Sequence, residues 1–192
     1  MKQRLKEALS RREKVYVNDS SRIPSAVLIP IYLKNDEYHI LFTQRTEKVR
    51  DHKGQISFPG GVYEDQDGTM FNTALRESNE EIGLDTGTVE LLGELDDIAT
   101  MGTNYIISPF VAAIPWPLSL KLFPTEVKEI IEVPLPALLD KDCLGQTKQY
   151  INDELVTTDS YIYQGKVIWG ATARILKQFL GIISQITEDR NK

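Results

Sequence analysis

The sequence predicts an α/β fold of the α+β kind, a single domain in which a mixed central sheet is flanked by helices on both faces. Three observations carry that prediction. Short apolar runs of strand length are spread from residue 25 to residue 169. Two amphipathic patterns of helical period, one central and one terminal, interrupt and close them. The chain has 192 residues, 41% of them hydrophobic and 26% charged, which is enough for one well-buried core and makes two small domains the lesser option.

The elements follow in order. Residues 3–13, within a leading segment of about 1–20, read as a short helix with a narrow stripe of Leu5, Ala8 and Leu9. Its basic residues, among them Lys2, Arg4, Lys6, Arg12 and Lys14, read as a solvated face. Ser25 to Leu33 is the first strand and Tyr38 to Thr43 the second, with Asn35-Asp36-Glu37 as the hairpin turn between them. Thr46 to Gln55 is polar and charged, hence a loop, and Ile56 to Phe58 is a short strand running into Pro59-Gly60-Gly61.

Phe71, Ala74, Leu75, Ser78 and Ile82 then recur at helical spacing, and Gly83 is the expected stop. Val89 to Leu95 and Tyr105 to Ile114 read as strands separated by a loop over Asp96 to Asn104. Glu126 to Val133 is open between helix and strand until Pro134 ends it. Pro136 to Leu139 reads as a helical turn, and Lys148–Ile151, Ser160–Tyr163 and Lys166–Trp169 as short strands. A closing amphipathic helix over about 171–187 presents Ile175, Leu176, Phe179, Ile182, Ile183 and Ile186 on one side.

A net charge of −6 and a pI of about 5.1 argue against nucleic acid or a membrane surface as partner. An acidic protein that handles a phosphorylated small molecule needs a cation or a local basic patch. The single cysteine, Cys143, rules out an intrachain disulfide, reads as inert, and places the expected setting in the reducing cytoplasm. Met1 to Lys14 is charged throughout and lacks the apolar centre of a signal peptide, and no apolar run is long enough to span a bilayer. A homodimer is compatible with the sequence.

The chemistry gathers on the central helix. Glu77, Glu80 and Glu81 stand at i, i+3 and i+4, so their carboxylates share one face. Like charges at that spacing repel by roughly 0.2–0.5 kcal/mol per pair. Glu80 and Glu81 also occupy the last turn, at the negative end of the helix dipole. A divalent cation offsets both penalties, because clustered hard oxygens are what Mg²⁺ or Mn²⁺ prefers. The plainer alternative is a solvated acidic face, with Arg76 partly neutralising Glu80 at i+4. Gly60-Gly61 lets backbone come close to a metal or phosphate. Arg45, Lys48, Arg50, His52 and Lys53 form a basic cluster in which Arg45 and Arg50 are the candidates for phosphate recognition. Tyr105, Phe110 and Trp169 read as core aromatics rather than as stacking partners for a base.

The stretch from Gly61 to Leu84 resembles the Nudix box, a Gly and a Glu followed by Arg-Glu-apolar-any-Glu-Glu-any-Gly-apolar. Residues 76–84 match every charged and glycine position, with Ser78 where an apolar residue is usual. Asp67 stands where the pattern has Glu, one residue further from Arg76 than usual, and no role is assigned to it. Leu41 to Thr46, Arg50, Gly54 and Phe58-Pro59-Gly60-Gly61 are similar to the signature of the coenzyme A pyrophosphatase branch. Thr103 to Pro109 and Trp169 to Arg174 echo that branch further along the chain.

The resemblance implies a Nudix-like α/β/α sandwich and metal-dependent hydrolysis of a nucleoside diphosphate-linked substrate. For the coenzyme A branch the products are 3′,5′-ADP and 4′-phosphopantetheine. It implies Mg²⁺ or Mn²⁺ on Glu77 and Glu81, with Glu80 as a further ligand and a backbone carbonyl near Gly60 or Gly61. Arg76 would hold a glutamate in place and completes the expected catalytic set. The general base stays open among Glu77, Glu126 and a hydroxide on the cation. An ADP-ribose, NADH or damaged-nucleotide diphosphatase is the alternative of the same class, and a non-hydrolytic ligand-binding regulator the alternative of another.

Overall fold

The computed structural model describes residues 1–46, 54–151 and 154–188. After helix α1 (Lys2–Ser10), strands β1 (Ile23–Lys34) and β2 (Glu37–Arg45) form the central hairpin, followed by short strands β3 (Ile56–Ser57) and β4 (Gly60–Val62). Helix α2 (Met70–Ile82) leads to β5 (Glu90–Glu94), β6 (Ile98–Ala99) and β7 (Tyr105–Ala113). Strand β8 (Val127–Pro134), helix α3 (Leu135–Leu139), strands β9 (Leu144–Ile151), β10 (Glu154–Tyr163) and β11 (Lys166–Ile168), and helix α4 (Gly170–Glu188) complete the chain.

The main sheet is mixed. β1 and β7 pair in parallel at its centre, and every other pairing is antiparallel. β1 is buried on both faces, which is why its sequence is an unbroken apolar run rather than an alternation. Ile29 and Ile31 face one core with α1 and α4, whereas Ala26, Leu28 and Tyr32 face the other with α2. That division gives the expected helix–sheet–helix layering. β9, β10 and β11 form a separate antiparallel sheet packed against α4.

Both central strands change partner midway. Along its outer edge β1 pairs with β4 over Ser25–Val27 and with β2 over Ile31–Lys34. β7 pairs with β6 at Ile106–Ile107 and with β5 over Phe110–Ala113. Pro30 and Pro109 sit at these two changeovers, where a missing N–H leaves no ladder bond unmade. The sheet therefore splays at one end, between β4 on one side and β6 on the other. The β1–β2 turn has Asn35 and Asp36 at φ +51 and +63, the left-handed pair that a two-residue hairpin requires.

Several expectations are corrected. The first helix stops at Ser10, and residues 11–22 run on without helix or strand apart from a turn. Its basic residues are not merely solvated: Lys2 and Lys6 pair with Glu90 at 2.9 and 3.0 Å, and Arg12 with Asp96 at 3.0 Å. Lys14 bridges Glu94 and Asp97, tying the leading segment to β5 and the loop beyond it. The loop expected over Asp96 to Asn104 contains β6, a strand too short to show in apolar pattern. The open segment from Glu126 resolves as β8, and β9 and β10 are longer than their apolar residues indicate. No helix among the described residues is long and apolar enough to cross a membrane.

Phe179 of α4 is completely buried at the centre of the larger core. Phe179→Ala is expected to cost about 3–5 kcal/mol of stability. Denaturant unfolding should show this as a lower midpoint with little change in slope.

Candidate active site

Helix α2 is fixed at both ends by its own sequence. The Thr69 hydroxyl accepts the Asn72 N–H at 3.1 Å as N-cap, and Gly83, at φ +64, donates to the Asn79 carbonyl at 2.8 Å as C-cap. Ser78, in the place of an apolar residue, is fully buried, and its hydroxyl donates to the Ala74 carbonyl at 2.6 Å. The polar group is thereby satisfied within the helix.

Arg76 organises the approach to the helix. Its Nε and Nη2 clamp the Asp67 carboxylate at 2.8 and 3.1 Å, and Nη2 also donates to the Val62 carbonyl at 2.9 Å. Nη1 donates to Glu77 at 2.9 Å and Glu80 at 3.1 Å. All the N–H donors of the guanidinium are thus taken up by the protein. Arg76, expected within the catalytic set, has no donor left over for a ligand. Asp67, to which the sequence reading gave no role, is its principal partner. The Asp67 carboxylate is buried, also accepts from Thr73 and the Glu64 N–H, and is held far below the usual carboxylate range, chiefly by Arg76. The available signal was its place in the Gly-x₅-acid pattern; the extra residue before Arg76 hid it.

The three glutamates differ sharply in burial. Glu80 is 57% exposed, bonds to Arg76, and does not line the cavity described below. Glu77 is half-buried, and burial raises its pKa against the lowering effect of Arg76. Glu81 is 3% exposed, with its Oε2 lacking any hydrogen-bond partner among the described residues. Burial pushes its pKa up to about 8; Arg45, with Nη1 3.7 Å from Oε1, opposes that shift, while Glu77 and Glu126 add to it.

Glu77 and Glu81 open onto a cavity of about 630 Å³ at the splayed end of the sheet. Gly60, Gly61, Arg45 and Glu126 line the same cavity. The register of β2 slips between Gln44 and Arg45, a bulge that re-aims the Arg45 side chain. A Cβ on Gly61 would lie 2.4 Å from the Glu77 carboxylate carbon, and one on Gly60 2.2 Å from the Ala26 carbonyl oxygen. Gly61 leaves the room in which the Glu77 carboxylate sits, and Gly60 lets β4 lie close against β1. Tyr105 and Trp169, read as core, line the cavity instead; Phe110 is core as expected, packed against Phe71 in a tilted pair with ring centroids 5.4 Å apart. Arg50 and the neighbouring Lys48, His52 and Lys53 lie outside the described residues.

Among the described residues no three His, Cys, Asp or Glu side chains are gathered into a ready cage for a metal. The fit to a divalent cation rests on other grounds. A nearly inaccessible carboxylate oxygen without a donor, beside a second half-buried carboxylate, is an uncompensated concentration of acceptor oxygens. Hard oxygen ligands of this kind suit Mg²⁺ or Mn²⁺.

The comparisons with known proteins agree with this geometry. The NUDIX domain profile matches residues 22–150. The Nudix hydrolase NudL of Photorhabdus laumondii is 36% identical over 162 residues, covering 84% of this chain and 85% of that protein. Among solved structures, a MutT/nudix family protein from Enterococcus faecalis aligns over 91% of this chain and 66% of its own, with a TM-score of 0.57 and 15% identity. The Nudix hydrolase RenU of M. smegmatis covers 86% and 88%, with a TM-score of 0.56 and 17% identity. At such identities the structures speak to the fold alone. The chain belongs to the Nudix family. It is an enzyme that hydrolyses a pyrophosphate linkage in a nucleoside diphosphate-linked substrate, and Nudix hydrolases generally use divalent metal ions.

Two predictions follow from the buried acid and the glycine pair. Glu81 is protonated more readily when folded than when unfolded, so it contributes nothing adverse below its ordinary pKa of 4.5 and a growing penalty as pH rises towards 8. In metal-free protein Glu81→Gln should therefore raise the melting temperature by about 2–6 °C at pH 8 and by less at pH 5. Equal melting curves at both pH values would count against the burial argument. Gly61→Ala displaces a flexible carboxylate, whereas Gly60→Ala collides with backbone. The first should fold normally yet lose at least about 100-fold in activity; the second should lower thermal stability outright.

Proposed function

We propose that the protein hydrolyses coenzyme A and its derivatives to 3′,5′-ADP and 4′-phosphopantetheine, using Mg²⁺ or Mn²⁺. The observation that carries the hydrolytic reading is the buried Glu81 carboxylate, with its unpartnered oxygen, set beside Glu77 at the Gly60-Gly61 edge of the cavity. Support for the coenzyme A branch comes from Leu41 to Thr46 and Phe58 to Gly61, which form the second half of β2 and the entry to β4 and bring Arg45, Phe58, Gly60 and Gly61 to that cavity. The single buried cysteine, whose thiol burial pushes up, fits a reducing cytoplasmic setting.

In this reading Glu77 and Glu81 would hold the cation, and Glu80, outside the cavity lining, would be a further ligand only after leaving Arg76. When bound, the cation supplies neutralisation of the diphosphate oxygens and acidification of the attacking water. The chain's own groups do the remainder. Arg45 faces the cavity with a buried Nε that has no acceptor among the described residues, and it binds a phosphate oxygen there. Gly60 and Gly61 line the cavity with bare backbone, which the diphosphate meets directly. Glu126, exposed at the cavity edge and close enough to raise the proton affinity of both buried glutamates, takes the proton from the attacking water. Arg76 keeps Glu77 aimed inwards and touches no substrate.

Purified protein incubated with Mg²⁺ or Mn²⁺ and coenzyme A should release 3′,5′-ADP, separated by chromatography. Cleavage of ADP-ribose, NADH or a dinucleoside polyphosphate with coenzyme A left intact would overturn the substrate while leaving the chemistry. Glu77→Gln and Glu81→Gln should each abolish turnover without unfolding the protein. Glu126→Gln should lower kcat by about 10²–10⁴-fold with little change in KM.

A further inference from the structure

One cation in the cavity is unused by the chemistry above. Arg174, near the start of α4, is exposed and lines the cavity on the side away from β4. Its Nη1 donates to the Ala99 carbonyl at 2.8 Å. Among the described residues it has no carboxylate partner and no other acceptor, so most of its guanidinium donors stay open to the cavity. The contrast with Arg45, the other arginine lining the cavity, is informative: its Nη1 lies 3.7 Å from the Glu81 carboxylate. In a chain where 28 acidic residues outnumber 22 basic ones, an arginine anchored in a cavity without an acid is arranged for an anion that the ligand brings.

The sheet fixes how far that anion lies from the cleavage site. Val62 of β4 pairs with Ser25 of β1, Ser25 with Ile107 of β7, and Ile107 with Ile98 of β6. Gly60-Gly61 and Ala99 therefore flank a floor four strands wide, about 14 Å across at the usual strand spacing. Glu77 and Glu81 reach in from one edge and Arg174 is tethered at the other. The diphosphate held at the first edge does not reach the second by itself. The nucleoside must span the floor and carry a further anionic group to meet the guanidinium. Tyr105 and Trp169, neutral and aromatic, line the cavity with it.

From this placement we infer that Arg174 is a specificity-determining residue that binds a phosphomonoester on the nucleoside half of the substrate, separate from the scissile diphosphate. The inference rests on the function proposed above and deepens it: the substrate class is a nucleoside 5′-diphosphate conjugate bearing a ribose phosphate. Substrates without that group lose the Arg174 contact and are discriminated against in binding.

The test has two arms. Steady-state kinetics compare coenzyme A with 3′-dephospho-coenzyme A, which differ only in the phosphomonoester. Wild type should favour the phosphorylated form by about 10- to 100-fold in kcat/KM. Arg174→Gln should reduce that preference to within about threefold, mostly through KM, and Arg174→Lys should restore part of it as a point charge. The second arm measures binding of 3′,5′-ADP and of 5′-AMP to full-length protein by calorimetry, without turnover. The same preference, and the same loss in Arg174→Gln, is expected there. If neither form of coenzyme A is hydrolysed, the reading of the reaction fails, while the binding arm still judges Arg174. Equal binding of the two nucleotides by wild type, or an equal loss for both in Arg174→Gln, overturns the inference.

Discussion

The arrangement of this site depends on one fully committed side chain. Arg76 holds Asp67, Glu77, Glu80 and the Val62 carbonyl at once, joining the chain that leaves β4 to the helix that follows. A bidentate arginine–carboxylate pair with one buried member has little freedom to rearrange. Because Asp67 is held far below its ordinary pKa, the pair stays charged throughout the pH range in which the protein works. The consequence is geometric: Glu77 is pulled to the cavity side, and the glycine edge of β4 is held against it.

Arg76 also separates the acids into different states. It bonds Glu77 and Glu80 but not Glu81. Glu81 has Arg45 at 3.7 Å and a hydrogen bond from the Gly60 backbone to offset its burial, and together these are insufficient to keep its proton affinity ordinary. Glu80 and Glu81 are adjacent in sequence but about 100° apart around the helix, so one is solvated and the other almost wholly enclosed. A helix with this much negative charge on its enclosed side folds less favourably than one with neutral residues there. Such stored strain is expected where function, and not stability, sets the residue.

Much of this was legible in the sequence because it rests on local rules. The span of α2, its Gly83 stop and the common face of its glutamates follow from period and capping alone. So does the β1–β2 hairpin, whose Asn35-Asp36 pair tolerates left-handed backbone. The graded exposure of the glutamates was not legible, since it depends on how β1 and β4 pack against α2. Nor was the role of Asp67, whose partner is nine residues away in sequence and close only after the intervening chain folds back. Tyr105 and Trp169 misled for the opposite reason: aromatic residues in apolar runs are core by default, and only the splayed sheet turns these towards a cavity. The ion pairs of the leading segment, more than 75 positions apart in sequence, leave no local trace at all.

The same two prolines that explain the sheet also explain why a single cavity can recognise both ends of a ligand. Pro30 and Pro109 mark the points at which β1 and β7 release one neighbour and take another. Had both strands kept one partner throughout, β4 and β6 would not flank them at the same end. As built, the carboxylates of α2 come in over β4, and Arg174 is tethered to β6 by the Ala99 carbonyl. The floor between them is hydrogen-bonded backbone, whose width varies little because strand spacing is fixed by the ladder itself. Distance between the two charged edges is then a property of the fold, whereas the choice of ligand lies in the side chains that project from each edge. If Arg174 selects the ligand as proposed, a change of substrate works through such edge residues and leaves the pairing of β4, β1, β7 and β6 untouched.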